Sequence, residues 1–199
     1  MKLAHRAFGT ALAAVLACAA AAHAAPGTRD ARGAVASWPK MTKDAALALI
    51  EKYGRPSGTT DRMLVWDDAG PWKSVTLYRR AVKRDLPAPR EYFLEDTIAY
   101  EVPAEKVQDL IEFDPALVID ETRGTLSSQS DGEKANILAL NLAGEIVDGR
   151  RSVASAQEFM SATLLELMAG RSSPYAEKLM ISSPPKTGLP GAEPPATGY

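Results

Sequence analysis

The stretch Met63-Leu64-Val65-Trp66-Asp67-Asp68-Ala69-Gly70-Pro71-Trp72-Lys73-Ser74-Val75-Thr76-Leu77-Tyr78-Arg79 decides the fold class. Met63 to Trp66 and Ser74 to Arg79 are rich in β-branched and aromatic residues, and Asp67 to Pro71 supplies the Asp, Gly and Pro that close a turn between them. An antiparallel hairpin follows. Upstream, Thr42 stands as the N-cap of a helix whose Ala46, Leu49, Ile50 and Tyr53 share one face, with Gly54 and Pro56 as its stop. Downstream, residues 80–92 are charged and interrupted by Pro87 and Pro89, which predicts an exposed excursion. Regular alternation returns at Thr97 to Val102, with Ile98, Tyr100 and Val102 inward. Pro103 opens a helix with an apolar stripe of Val107, Leu110 and Ile111, which Asp114-Pro115 ends. Leu117 to Thr122 and Gly124 to Ser127 read as further strand, bent at Gly124. Two helices close the pattern. Glu133 to Asp148 carries Ile137, Leu140 and Val147 and stops at Gly149; Ser152 begins the second, with Val153, Phe159, Met160, Leu164, Leu167 and Met168. Asn136 and Asn141 are poor helix formers, and they predict either hydrogen bonds to a neighbouring backbone across the core or the lining of a ligand pocket. The order of elements predicts a single α+β domain, a small antiparallel sheet with helices packed on one face.

Composition bounds the chemistry. Both histidines, His5 and His23, and the one cysteine, Cys18, lie in the first two dozen residues. Lys2, His5 and Arg6, then an apolar run from Ala7 to Ala22, then Ala22-His23-Ala24 form the three regions of a cleaved signal peptide, so residues 1–24 are expected to be removed. The run is dominated by alanine, which argues against a retained transmembrane helix. Val15-Leu16-Ala17-Cys18 offers an alternative, a lipobox that would leave the protein membrane-anchored through an acylated Cys18. With Ala25 first, the protein would have neither His nor Cys, which removes the usual general bases, transition-metal ligands and disulfides. No cofactor is expected. Cleavage takes Lys2 and Arg6 and no acid, so 23 basic residues become 21 against 25 acidic ones and the net charge falls from −2 to −4. That balance argues against nucleic-acid binding. Residues 25–36 read as a flexible linker, 37–170 as the folded domain and 171–199, with Pro174, Pro184, Pro185, Pro190, Pro194 and Pro195, as a disordered tail. The expected location is the periplasm or the medium.

Two resemblances bear on this reading. Trp38-Pro39, Lys52-Tyr53-Gly54-Arg55-Pro56, Gly70-Pro71-Trp72-Lys73, Thr122-Arg123-Gly124 and Asn136-Ile137-Leu138-Ala139-Leu140-Asn141-Leu142-Ala143 together resemble an uncharacterised family of small secreted bacterial proteins, over most of residues 37–170. That family carries histidines in the excursion after the hairpin and a cysteine before the Asn-containing helix, where this chain has Lys83, Arg90 and Ser130. The resemblance implies no activity. Residues 41–79, a short helix followed by Tyr-Gly-x-Pro, a Trp-containing strand and a hairpin, are similar to the BamE type of outer-membrane assembly lipoprotein, which implies a binding module.

Three chemistries compete for the function. Ser37-Trp38-Pro39-Lys40, Ser130-Asp131-Gly132 and Lys186-Thr187-Gly188 follow the order of the motifs of penicillin-recognising serine enzymes. Pro39 stands where Ser and Lys must share a helical turn, and Lys-Thr-Gly falls in the proline-rich tail, so this reading is set aside. Asp67, Asp68, Glu91, Glu95, Asp96, Glu101, Asp114, Asp120 and Glu121 are acids enough for a carboxylate-based hydrolase or a Ca²⁺ cage, but no Asp-x-Asp-x-Asp-Gly loop selects among them. The strongest local feature is basic. Arg79, Arg80, Lys83 and Arg84, joined by Arg90 and near Trp72 and Lys73, predict an exposed anion-attracting surface with Trp72 available for stacking. The expected protein is thus an exported, non-catalytic binding module for an envelope protein or for anionic lipid or lipopolysaccharide, with the hydrolase as the alternative.

Overall fold

The computed structural model describes residues 31–84 and 90–181. The expected signal peptide, Cys18 and Lys186-Thr187-Gly188 lie outside the described residues. After a helical turn at residues 31–34 comes helix α1 (Lys40–Tyr53), then strands β1 (Gly58–Thr59), β2 (Met63–Ala69), β3 (Trp72–Arg84) and β4 (Arg90–Ala99). A 3₁₀ turn at Ala104–Lys106 leads into α2 (Val107–Phe113), followed by β5 (Leu117–Asp120), β6 (Thr125–Ser130), α3 (Glu133–Val147), α4 (Val153–Met168) and the single turn α5 (Pro174–Glu177). The strands form one antiparallel sheet in the order β1-β2-β3-β4-β6-β5. Helices α1 and α3 lie on the same face of it, and α4 and α2 pack beside α3. The chain is a single α+β domain.

Register explains which side chains enter the core. Leu64, Leu77, Leu94 and Ser130 form one row across the sheet, and Trp66, Val75, Asp96 and Ser128 form the next, all facing the helices. The alternate row, Val65, Thr76, Glu95 and Gln129, lies on the opposite face. At the β2–β3 turn Asp68 has φ 50° and Gly70 φ 62°, so the pleat breaks and Ala69 and Trp72 are both buried.

Several sequence expectations change. Thr42 does not cap α1: the helix begins at Lys40, and the buried Thr42 hydroxyl donates to the Arg79 carbonyl at 2.9 Å, bolting α1 to β3. Residues 80–84 and 90–92 are strand. Strand β3 runs to Arg84 and β4 starts at Arg90, seven residues ahead of Thr97, so most of the proposed excursion is a long hairpin. Gly124, at φ 59°, makes a turn between β5 and β6 where a bend within one strand was expected. On α2 the buried partner of Leu110 is Phe113, and Ile111 is exposed. Ser152 does cap α4, accepting the amide of Ser155.

The largest difference concerns α3. Ile137 and Val147, expected on its core stripe, are among its less buried residues, because the helix is covered on nearly every side. Its outer cover is the segment Ser173 to Ile181, which was expected in the tail. Pro174 sits in the first turn of α5, where a missing N–H costs nothing, and Ala176 is fully buried. Asn141 holds this segment through four bonds: its amide donates to the carbonyls of Tyr175 and Lys178, both at 2.9 Å, and its Oδ1 accepts the amides of Met180 (2.6 Å) and Ile181 (3.2 Å). The Tyr175 hydroxyl adds a bond to Glu145 at 2.7 Å. Ala31, Val35 and Trp38, in or beside the expected linker, are likewise part of the core.

Gly144 is what lets the cover close. A Cβ built there would lie 2.7 Å from Cγ1 and 3.2 Å from Cβ of Ile181. Gly to Ala inside a helix normally gains about 0.5–1 kcal/mol. Here Gly144→Ala is expected to lose about 1–3 kcal/mol instead, as an overpacked core does. Adding Ile181→Ala should recover most of it. Urea unfolding of the two single variants and the double variant measures the coupling; additive effects would contradict the contact.

Candidate functional site

The basic stretch identified in the sequence lies on the long β3–β4 hairpin, at an irregularity in its pairing. Leu77 pairs with Leu94 and Val82 pairs with Tyr92, so residues 78–81 face Phe93 alone. A bulge of this size turns the strand and breaks its alternation. It is also anchored: the Arg79 amide donates to the Arg62 carbonyl at 2.7 Å, and the Arg79 guanidinium reaches the carbonyls of Asp61 (3.4 Å) and Ser37 (3.3 Å).

The structure separates the predicted site residues into three groups. Trp72 is 2% exposed, and its indole N–H donates to Glu133 and to the Tyr53 hydroxyl, both at 3.0 Å, so it belongs to the core and offers no stacking surface. Arg79 and Arg90 are committed within the fold. Arg90, at the start of β4, forms a two-pronged pair with Asp131 just after β6, through Nε at 3.2 Å and through Nη2. Lys73 sits apart, near the β2–β3 turn, on the rim of a hollow of about 500 Å³ that it shares with Asp68, Trp72, Tyr100 and Ile181. Lys83 is exposed and faces Glu91 across the strands at 3.7 Å. The side chain of Arg84 lies outside the described residues. Arg80 remains. It is exposed, has no carboxylate partner among the described residues, and lines a cleft of about 250 Å³ with Tyr78, Val82, Tyr92, Phe93 and Gln129.

The floor of the open face beside that cleft is polar and ordered. Tyr78 donates its hydroxyl to Glu95 Oε2 at 3.0 Å, and the Gln129 amide donates to the same oxygen at 2.8 Å. Burial, with the Glu95 charge beside it, pushes the Tyr78 hydroxyl up to about 12, so it stays a donor throughout the neutral range. Thr97 and Ser127 share a hydrogen bond at 2.9 Å on the next cross-strand pair. The bulge and the Tyr78–Glu95–Gln129 contact were missed in the sequence, where the only signal was the mixed polar run Tyr78 to Arg84.

A second polar cluster lies on the other face, under α3. The Tyr53 hydroxyl and Lys52 (2.7 Å) both bond Glu133 at the start of the helix. One turn on, the Asn136 amide donates to Asp96 Oδ2 at 2.7 Å and to the Leu94 carbonyl at 3.3 Å. Asp96 is fully buried, and its Oδ1, the Asn136 Oδ1 and the Ser128 hydroxyl have no hydrogen-bond partner among the described residues. Burial, reinforced by the charges of Glu133 and Glu95, pushes the Asp96 carboxyl up to about 8 against the opposing Asn136 bond and Lys52. A protonated Asp96 spares this site the cost of an unpaired buried charge. Ser130, placed in a catalytic-looking Ser-Asp-Gly, bonds the backbone of Gly132 at both ends and simply shapes the entry to α3.

The other chemistries find little support among the described residues. Glu91 pairs with Lys83, Asp120 with Arg123 at 2.8 Å, and Asp68 and Asp114 line separate hollows. No three His, Cys, Asp or Glu side chains there gather around a point that would hold a metal ion. No described helix is long and apolar enough to cross a membrane.

Asp96 makes stability depend on pH with a definite sign. Its folded pKa lies above the unfolded value of about 3.9, so between about pH 4 and pH 8 the folded state alone holds the proton and stability falls as pH rises, by up to about 1.4 kcal/mol per unit. Asp96→Asn has no proton to lose there, and its stability curve should be flatter across that window. Urea unfolding at pH 5, 6.5 and 8 measures this; parallel curves for the two proteins would count against a neutral Asp96. No protein-family model, curated protein or solved structure matches the chain, so its function is argued from its own geometry.

Proposed function

We propose that the protein is a non-catalytic binding module that receives an acidic segment of a partner protein in the cleft at the β3–β4 bulge. The observation that carries this reading is Arg80, an exposed guanidinium with no carboxylate partner among the described residues, set beside aromatic and aliphatic walls. Of the other cations of the stretch, Arg90 is paired with Asp131 and Lys83 with Glu91, and the Arg79 guanidinium is held on backbone carbonyls. An unpaired arginine in a concave site with Val82 60% exposed at its edge suits a side chain entering from a partner. A bilayer surface is less well matched, since attraction to anionic lipid grows with the number of free cations, at about 1 kcal/mol each near the surface. The leader pattern in residues 1–24 supports work in the cell envelope, where the partner would be met.

The test uses immobilised poly-L-glutamate as the acidic probe, at low salt, with phosphatidylglycerol vesicles run in parallel. Arg80→Glu is expected to weaken retention on poly-glutamate by about tenfold or more, the scale of reversing one desolvated charge contact. Circular dichroism checks that the variant is folded. Unchanged retention would overturn the reading, and tighter binding to vesicles than to poly-glutamate would reassign the cleft to lipid.

A further inference from the structure

The same open face presents a second charge that the fold leaves unanswered. Glu95 is half-buried at the centre of the sheet, on β4, in the row Val65, Thr76, Glu95, Gln129. Its Oε2 is held by two neutral donors, Tyr78 and Gln129, and no Lys or Arg among the described residues pairs with it. A carboxylate withdrawn from water normally recruits a cation or rises in pKa to become neutral. Here two oriented donors fix its position, and Oε1 accepts no hydrogen bond from the described residues. Both donors, Tyr78 and Gln129, also line the cleft that holds Arg80. Through these two donors Glu95 is tied to the cleft wall, beside an exposed Arg80 that has no carboxylate partner among the described residues.

Resting on the acidic-partner reading above, we propose that the cleft recognises a pair of opposite charges on one peptide segment, an acidic side chain against Arg80 and a basic one against Glu95. Two opposed contacts favour a mixed pair over a segment of uniform charge, because a second acid gains nothing beside Glu95 and a second base gains nothing beside Arg80. A purely acidic segment engages Arg80 only and forgoes the second contact. Glu95 acts here as a specificity-determining residue.

The experiment compares blocked dipeptides, N-acetylated and amidated, by NMR titration of the whole protein: Glu-Lys, Glu-Gln and Gln-Gln. The readouts are the side-chain amide of Gln129 and the guanidinium of Arg80. Glu-Lys is expected to bind at least about threefold more tightly than Glu-Gln, the yield of one partly exposed ion pair, and to shift the Gln129 amide. In Glu95→Gln that advantage should vanish while Glu-Gln binding is retained. Equal binding of Glu-Lys and Glu-Gln to the wild-type protein would overturn the two-charge proposal and leave the Arg80 reading standing. No response to Glu-Gln beyond that to Gln-Gln would instead overturn the acidic-partner reading. The wild-type comparison needs no variant, so the proposal stays decidable even if Glu95→Gln fails to fold.

Discussion

Helix α3 has almost no face to give to water, and the rest of the domain is arranged around that constraint. Eleven of its fifteen residues are buried, among them Leu138, Leu140, Leu142 and Ile146. A helix that is apolar on all sides must be enclosed, and each fully buried Leu or Ile contributes about 1.5–3 kcal/mol only if every side is covered. The sheet covers one side, α4 another, and the segment Ser173 to Ile181 the last. Asn136 and Asn141, five residues apart, point in different directions, one bonding β4 and the other the C-terminal segment. They fix the register of two covers on one rod.

The polar groups under α3 follow the same logic. Glu133 at the first turn takes bonds from Lys52, Tyr53 and Trp72, so α1, the β2–β3 turn and α3 meet at one carboxylate near the positive end of the helix. Asp96 has no such cation of its own and resolves its burial by keeping a proton. Two acids that meet α3, Glu133 in its first turn and Asp96 on the strand beneath it, are thus held in opposite ways, one by charged and polar neighbours and one by neutrality. The open face of the sheet, released from any packing duty, is where charge is left available.

Much of the architecture was legible in the sequence because local rules and tertiary demands agree there. The turn chemistry of Asp68 and Gly70, the Gly54 stop, the Ser152 cap and the Pro103 helix start each act within four residues. The misreadings come where a distant partner overrides a local signal. Thr42 looked like a cap because nothing nearby reveals the Arg79 carbonyl. Arg80 to Arg84 looked like loop because the bulge at residues 78–81 destroys the period of two that marks a strand. Trp72 looked exposed for its place in a turn, yet the left-handed Asp68 swings it inward onto Glu133. Pro174 looked like the start of a tail, although proline is at ease in the first turn of a helix. Of the candidate site, Arg80 was visible as a cation, but which of its neighbours were already paired depends on Asp131, Glu91 and two carbonyls far along the chain. Glu95 was one acid among nine, with nothing local to single it out.

The placement of the final cover has a consequence for how the chain is made. Residues leave a ribosome or a translocation pore in order, from the N-terminus onward, and α3 emerges some thirty residues ahead of the segment that seals it. Until Ile181 is free to lie against Gly144, the outer side of α3 has only water or a chaperone to meet. The domain therefore reaches its full cooperativity only once Ile181 has emerged, and a nascent chain halted before Ser173 presents an unsealed apolar rod to whatever quality-control machinery surrounds it.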